Sequence, residues 1–313
     1  MSAETRRRLD EVWWVSDWTV DDALVAGHQW TADDDWLPFT SRSSVLGKPL
    51  PKLCTSVSLN PVKSYSSLRS FGAPMATRIE SSLRCKTLSV DEFIVQITRL
   101  GLDYLDLYLL HWPVSLKSVG YDLPFSQKDL VAMDVKSVWE AMEECHSLGL
   151  SRNIGVSNFS CKKLEQLLLT SKIPPAVNQV EMSPLWQQAK LRDFCHKKGI
   201  HITAFSPLGA RGTVWGTNQV LDCEVLKEIA EAQGKTVAEV CLRWVYEQGV
   251  SLVVKSFNKE RMKENIGIFD WKLSPEECER IEQIPQERAC VGRDYTSEDG
   301  PYISVEELWD GEI

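Results

Sequence analysis

The stretch LDLYLLHWPV, residues 105–114, carries the most structural information in the chain. A run of Leu107, Leu109 and Leu110 reads as a parallel strand buried on both faces. His111 interrupts it, because a ring with two nitrogens needs hydrogen-bond partners wherever it is buried. Pro113 lacks the N–H that a strand ladder requires and stops the strand just beyond. His111 therefore stands where a buried strand gives out into a loop, which is where α/β proteins place their chemistry.

The same alternation continues downstream. Asp134 is an N-cap for a helix with Val135, Val138, Trp139, Met142 and Cys145 on one face, ending at Gly149. NIGVSNF (153–159) reads as strand and turn, CKKLEQLLLTS (161–171) as helix, and PAVNQVEM (175–182) as strand. QQAKLRDFCHKKG (187–199) is a helix closed by glycine, and IHITAFSPLG (200–209) a strand broken at Pro207. Thr236 and Glu239 form a capping box for a helix carrying Val237, Val240, Cys241, Trp244 and Val245. VSLVVKS (250–256) is a last strand. Asn258 caps a helix through Phe269, and Ser274, Pro275 and Glu277 start another. Strands ending near residues 111, 157, 181, 205 and 256, separated by helices, imply a parallel sheet. Their spacing suits an α/β fold of the (β/α)8 TIM-type barrel class, whose strand ends share one mouth. A doubly wound sheet is the alternative, but no G-x-G-x-x-G occurs.

Composition narrows the function. The 313 residues are 43% hydrophobic and 25% charged, enough for a large core, and a net charge of −9 argues against a nucleic-acid binder. No apolar run suits a signal peptide or a membrane span, so no membrane partner is expected. Nine cysteines without a C-x-x-C pair read as reduced thiols of a cytoplasmic protein. Cys195, His196 and His201 fall on helix and strand positions, and no metal site is expected.

Residues 1–96 form an atypical N-terminal segment, distinct from 97–313. Five tryptophans precede residue 37, beside acidic clusters such as TADDDW (31–36). Residues 40–90 are serine-rich without helical or strand period, and VWWV and ALVA are the longest apolar runs. The segment reads as loop or poorly ordered chain, with the first three βα units of a barrel absent or unrecognisable.

LGLDYLDLYLLHWPV, IGVSNFSCKKLEQLL, VNQVEMSPLWQQ, AFSPLGARGTVWG and VVKSFNKERMKENIGIFDW, in this order, resemble the aldo-keto reductases. The likeness is to the plant branch of deoxymugineic acid synthase, methylecgonone reductase and chalcone reductase. It spans about residues 97–313, including the tail GPYISVEELWDGEI. The resemblance implies a monomeric (β/α)8 barrel that binds NADPH across the strand ends and reduces a small carbonyl compound to an alcohol. It makes His111 the catalytic hydrogen-bond donor to the carbonyl oxygen, and His111 and Trp112 the substrate-binding pair. Ser157, Asn158 and Gln179 correspond to the side chains around the nicotinamide carboxamide, and Phe205 to the ring stacked on it. Ser206, Leu208 and Ala210 belong to the loop over the pyrophosphate. Lys255, Ser256, Phe257, Asn258 and Arg261 surround the adenosine 2′-phosphate, where a guanidinium fork and free helix N–H groups suit an anion. Glu264 and Asn265 correspond to adenine contacts.

The family's tyrosine acid, aspartate and lysine all precede the histidine strand. Here the only tyrosine before residue 100 is Tyr65, in VKSYSSL with no aspartate nearby, and Lys48, Lys52, Lys63 and Lys86 follow no apolar strand. None of the three roles transfers. The alternatives are a non-catalytic NADPH-binding or interaction protein, or an incorrect gene model of an active reductase.

Overall fold

The computed structural model describes residues 102–117, 126–213, 215–256 and 258–313, together with Val90, Ile94 and the backbone of three short strands nearer the start. Those strands are β1 (Val12–Val15), β2 (Cys54–Val57) and β3 (Ala76–Ser81). They are followed by β4 (Tyr108–Leu110), β5 (Val114–Leu116) and β6 (Leu130–Ala132). The remaining strands are β7 (Ile154–Ser157), β8 (Val177–Glu181), β9 (His201–Phe205) and β10 (Ser251–Val254). All except β5 and β6 close into one barrel in the order β1-β10-β9-β8-β7-β4-β3-β2, each neighbour parallel.

The barrel of eight parallel strands is the class the downstream alternation implies. The sequence could not locate its first three strands, and the structure supplies them: β3 pairs β4, and β1 pairs β10. The physical reason is visible in the letters. CTSV and ATRIES contain no continuous apolar run, so nothing local separates them from loop. Strand formation there is defined by partners distant in sequence. Tyr65, Lys48, Lys52, Lys63 and Lys86 lie outside the described residues, as does Phe257.

Downstream the expected strands end at Leu110, Ser157, Glu181, Phe205 and Val254, so their C-terminal ends gather at one mouth. Tyr108, Leu109 and Leu110 are all fully buried, as a strand packed on both sides demands. The barrel ladder of β4 ends at Leu110, before Pro113, and Val114–Leu116 leaves the barrel as β5 and pairs antiparallel with β6. Proline blocks one donor only, and the chain re-enters a ladder as soon as a new partner is available.

Helices cover the barrel. They are α1 (Val135–Ser147), α2 (Cys161–Thr170), α3 (Ala189–Lys198), α4 (Gln219–Asp222) and α5 (Glu224–Gln233). After them come α6 (Val237–Glu247), α7 (Lys259–Ile266), α8 (Pro275–Glu282) and α9 (Val305–Leu308). Asp134 caps α1 through the Ser137 N–H, and both capping boxes, Thr236 with Glu239 and Ser274 with Glu277, are closed in both directions. The apolar faces read from spacing are the buried ones: Val138, Trp139, Met142 and Cys145 on α1, and Val240, Cys241, Trp244 and Val245 on α6. The helix opened by Asn258 is shorter than its sequence suggests, since Gly267–Phe269 tightens into a 3-10 turn. Among the described residues, no helix is long and apolar enough to cross a membrane.

Gly155 shows how tightly β7 sits between its neighbours. A Cβ there would lie 2.6 Å from the Val177 carbonyl oxygen and 2.7 Å from Leu109 Cδ2. A backbone carbonyl in a ladder cannot retreat cheaply, so Gly155→Ala is expected to destabilise the barrel by about 1–3 kcal/mol despite alanine's smaller unfolded-state entropy. Urea denaturation measures this, and an unchanged or raised midpoint would contradict the packing described.

Candidate active site

The mouth is organised by hydrogen bonds between strand ends. Ser157 Oγ and the Asn158 N–H both donate to the Gln179 carbonyl, at 2.8 and 2.9 Å. Asn158 Nδ2 donates to the His111 carbonyl at 3.0 Å and contacts Ser157 Oγ at 3.3 Å. The ends of β4, β7 and β8 are thereby tied to one asparagine. That residue has φ 62°, in the left-handed region that asparagine tolerates better than most residues.

This pattern fixes which polar atoms remain. Because Nδ2 faces a carbonyl, Oδ1 of Asn158 is the atom left over, and the amide cannot be turned round without losing that bond. Asn158 Oδ1 and Gln179 Nε2 are both buried and have no hydrogen-bond partner among the described residues. Each such group costs roughly 1–3 kcal/mol if nothing answers it. One is an acceptor and the other a donor, and a primary carboxamide offers the complement of both.

The other expected cofactor-binding residues lie at or beyond the ends of β9 and β10. Phe205 ends β9 and is half-buried, and Ser206 follows it at φ 52°. Leu208 and Ala210, the latter also at φ 52°, lie in the loop that Thr217 N–H closes onto the Gly209 carbonyl at 2.7 Å. Glycine is required at 216, where a Cβ would fall 1.8 Å from the Ala210 carbonyl oxygen. Asn158, Ser206 and Ala210 are three of five non-glycine residues found at positive φ among the described residues. Backbone strain of this kind concentrates where a surface has been shaped for a ligand.

Lys255 and Ser256 follow β10, and Arg261 is exposed on the first turn of α7. Here one expectation is overturned. The N–H groups of Glu260 and Arg261 are not free, since Asn258 Oδ1 accepts from both at 3.0 Å, while Ser256 Oγ accepts from the Asn258 N–H at 3.2 Å. An asparagine N-cap competes with any anion for the same donors. The cationic side chains at this corner are those of Lys255 and Arg261. Glu264 and Asn265 lie further along α7, Asn265 buried and Glu264 half-buried.

On the other side of the mouth His111 is half-buried and Trp112 is 9% exposed. Trp112 belongs to an apolar cluster with Val114, Leu116, Leu130, Cys290 and Leu308. Tyr295 stacks on its ring at 4.1 Å between centroids, and Trp309 meets it edge-on at 5.8 Å. Reading the sequence in isolation assigned no role to Tyr295, Trp309 or Glu181. For Glu181 a signal existed: it lies two positions after Gln179, on the same strand face, and ends a buried strand as His111 does. Its carboxylate accepts from the Ala289 and Cys290 N–H groups at 3.1 and 2.8 Å, and burial pushes its pKa up. Burial likewise pulls Arg288 down to about 10, with Glu181 opposing.

The sequence profile of the Aldo/keto reductase family matches residues 89–286. A (1S)-1,7-diacetoxy-luvungin A aldo-keto reductase of Citrus sinensis is 63% identical over 214 residues, 68% of this chain and 67% of that protein. Deoxymugineic acid synthase 1 of Zea mays is 60% identical over 217 residues, 69% of each chain. A crystal structure of a Bombyx mori aldo-keto reductase in complex with NADP superposes with a TM-score of 0.62 at 31% identity, covering 72% of this chain and 73% of that one. Barrel, strand-end geometry and sequence likeness agree over the same residues, and the chain belongs to the aldo/keto reductase family.

Proposed function

We propose that the chain binds NADPH across the barrel mouth and reduces a small carbonyl compound to an alcohol, with slow turnover. The unanswered pair Asn158 Oδ1 and Gln179 Nε2 carries the reading, because a nicotinamide carboxamide supplies the donor and the acceptor they need. Ser157 holds Gln179 in place from below, and Phe205 offers a ring face for stacking. Ser206, Leu208 and Ala210 would border the pyrophosphate, and Lys255, Ser256, Phe257, Asn258 and Arg261 the 2′-phosphate, with Glu264 and Asn265 towards the adenine. When bound, the cofactor supplies the reducing equivalent. His111 then donates a hydrogen bond to the carbonyl oxygen and favours the charge that develops there. Trp112 backs the substrate from its buried position. The Bombyx mori relative bound to NADP supports the cofactor assignment by likeness. The substrate belongs to the small carbonyl compounds.

Slow turnover follows from the proton. A neutral imidazole is a weak acid, and a phenol serves when a neighbouring cation favours its ionised form. Among the described residues Tyr302 lies at the mouth, its hydroxyl donating to the Pro113 carbonyl at 3.3 Å. Lys163 sits over the Tyr302 ring, 4.8 Å from the centroid, and burial with Asp310 nearby pushes the Tyr302 pKa up to about 12. Tyr302 is thus a poorer acid than a free tyrosine and does not replace the family's tyrosine. A chain that clamps NADPH with little chemistry is the second reading, and the raised Tyr302 favours it.

Two measurements test the proposal. Fluorescence titration is expected to give tighter binding of NADPH than NADH, with Arg261→Ala weakening NADPH by about 10–100-fold and leaving NADH nearly unchanged. Equal affinities for the two cofactors would refute the 2′-phosphate assignment. Assayed with a reactive aldehyde, the chain is expected to turn over about 10²–10⁴-fold more slowly than a chimera carrying a family relative's N-terminal third. Ordinary turnover abolished by Tyr65→Phe would show instead that residues 1–96 hold the acid.

A further inference from the structure

The end of the chain is held down by charge. Asp310 has φ 53°, which turns its carboxylate towards the start of α2. There Oδ2 accepts from Ser160 Oγ at 2.5 Å and from Lys163 Nζ at 2.6 Å, and Oδ1 lies 3.3 Å from Lys162 Nζ. Lys163 also donates to the Leu308 carbonyl at 2.8 Å. The Lys163 and Asp310 side chains are only 9% and 12% exposed, so water screens the pair weakly. Glu312 adds a second tie, accepting from the Cys161 N–H at 3.1 Å with Lys190 at 3.0 Å. Both carboxylates sit at the positive end of a helix, where negative charge is favoured.

Between these ties and the mouth stands Trp309. Its indole N–H donates to the Val291 carbonyl at 2.8 Å, Arg288 lies 3.6 Å over its ring, and its edge meets Trp112 beside His111. Trp309 has no hydrogen bond of its own to the barrel strands among those described, and the residue after it adds the charged tie to α2. Asn158, two residues before Ser160, is held separately by Gln179, His111 and Ser157. Releasing the tail therefore leaves the carboxamide contacts in place.

We propose that Asp310 is a positioning residue: its bond to Lys163 and Ser160 fixes Trp309 against Trp112 and so sets the carbonyl pocket, without acting on cofactor affinity. The proposal rests on the reading of the mouth as a reductase site. Burial raises the Asp310 carboxyl, but Lys163, Ser160 and Lys162 outweigh it and hold the pKa below the usual range, in keeping with a charged tie.

Asp310→Asn isolates the charge, because asparagine tolerates the left-handed backbone that alanine would strain. Lys163→Met should reproduce it, and Lys163→Arg should stay near wild type. Hydrogen exchange without ligand is expected to speed up at least tenfold across residues 305–313 in Asp310→Asn and Lys163→Met. In the presence of NADP+, which cannot reduce it, para-nitrobenzaldehyde titrated calorimetrically should show affinity reduced about tenfold, while NADPH itself binds within about twofold of wild type. Unchanged exchange overturns the tie, and faster exchange with unchanged aldehyde affinity overturns its role at the pocket. NADPH and aldehyde affinity falling together would also overturn the proposal, marking a general loss of structure. A wild-type chain that binds no NADPH sinks the reductase reading instead, and the ligand-free exchange comparison still decides whether Asp310 pins the tail.

Discussion

Three strand ends depend on Asn158. Its amide N–H and the neighbouring Ser157 hydroxyl meet the Gln179 carbonyl, and its side-chain amide meets the His111 carbonyl. Strands packed on both faces have no room for unpaired polar groups along their length. Polar chemistry is therefore displaced to their ends, where it must be paired sideways. Asn158 does this at φ 62°, and the left-handed turn is what aims the amide across to β4. The same bonds that stabilise the mouth leave one buried acceptor and one buried donor unanswered among the described residues.

The two sides of the mouth are built differently. On one side, positions are fixed by backbone: positive φ at Asn158, Ser206 and Ala210, and a loop closed against Gly216. On the other they are fixed by aromatic rings brought from the C-terminal tail, Tyr295 and Trp309 against Trp112. Backbone shape suits a constant ligand, since it tolerates little change. Side-chain walls carried on a tail can vary without disturbing the barrel.

Much of the site was legible because its residues violate the local pattern. His111 at the end of an apolar run is a polar letter where a buried strand expects none, while Ser157, Asn158 and Gln179 were marked by the family resemblance. The caps at Asp134, Thr236, Asn258 and Ser274 were equally plain, since capping is a contact between residues three apart or fewer. The free N–H groups expected at the start of α7 were not found, because the cap that marks the helix also consumes them. The excursion through β5 and β6 and the helices of residues 219–233 carry weaker local signals and emerged only in the folded chain.

The sequence by itself determined the parallel barrel class from residue 97 onwards, the family, and the strand-end residues, because each rests on periodicity or on motifs within a few residues. Only the tertiary structure decided where β2 and β3 lie, since CTSV and ATRIES become strands through partners distant in sequence, and only it paired the apolar run VWWV with β10 as β1. It alone revealed that Glu181 anchors residues 289–290 and that Asp310 reaches Lys163 across 147 positions. Contacts of that sequence separation leave no period and no spacing to read; they exist because the barrel brings its mouth and its tail to the same place.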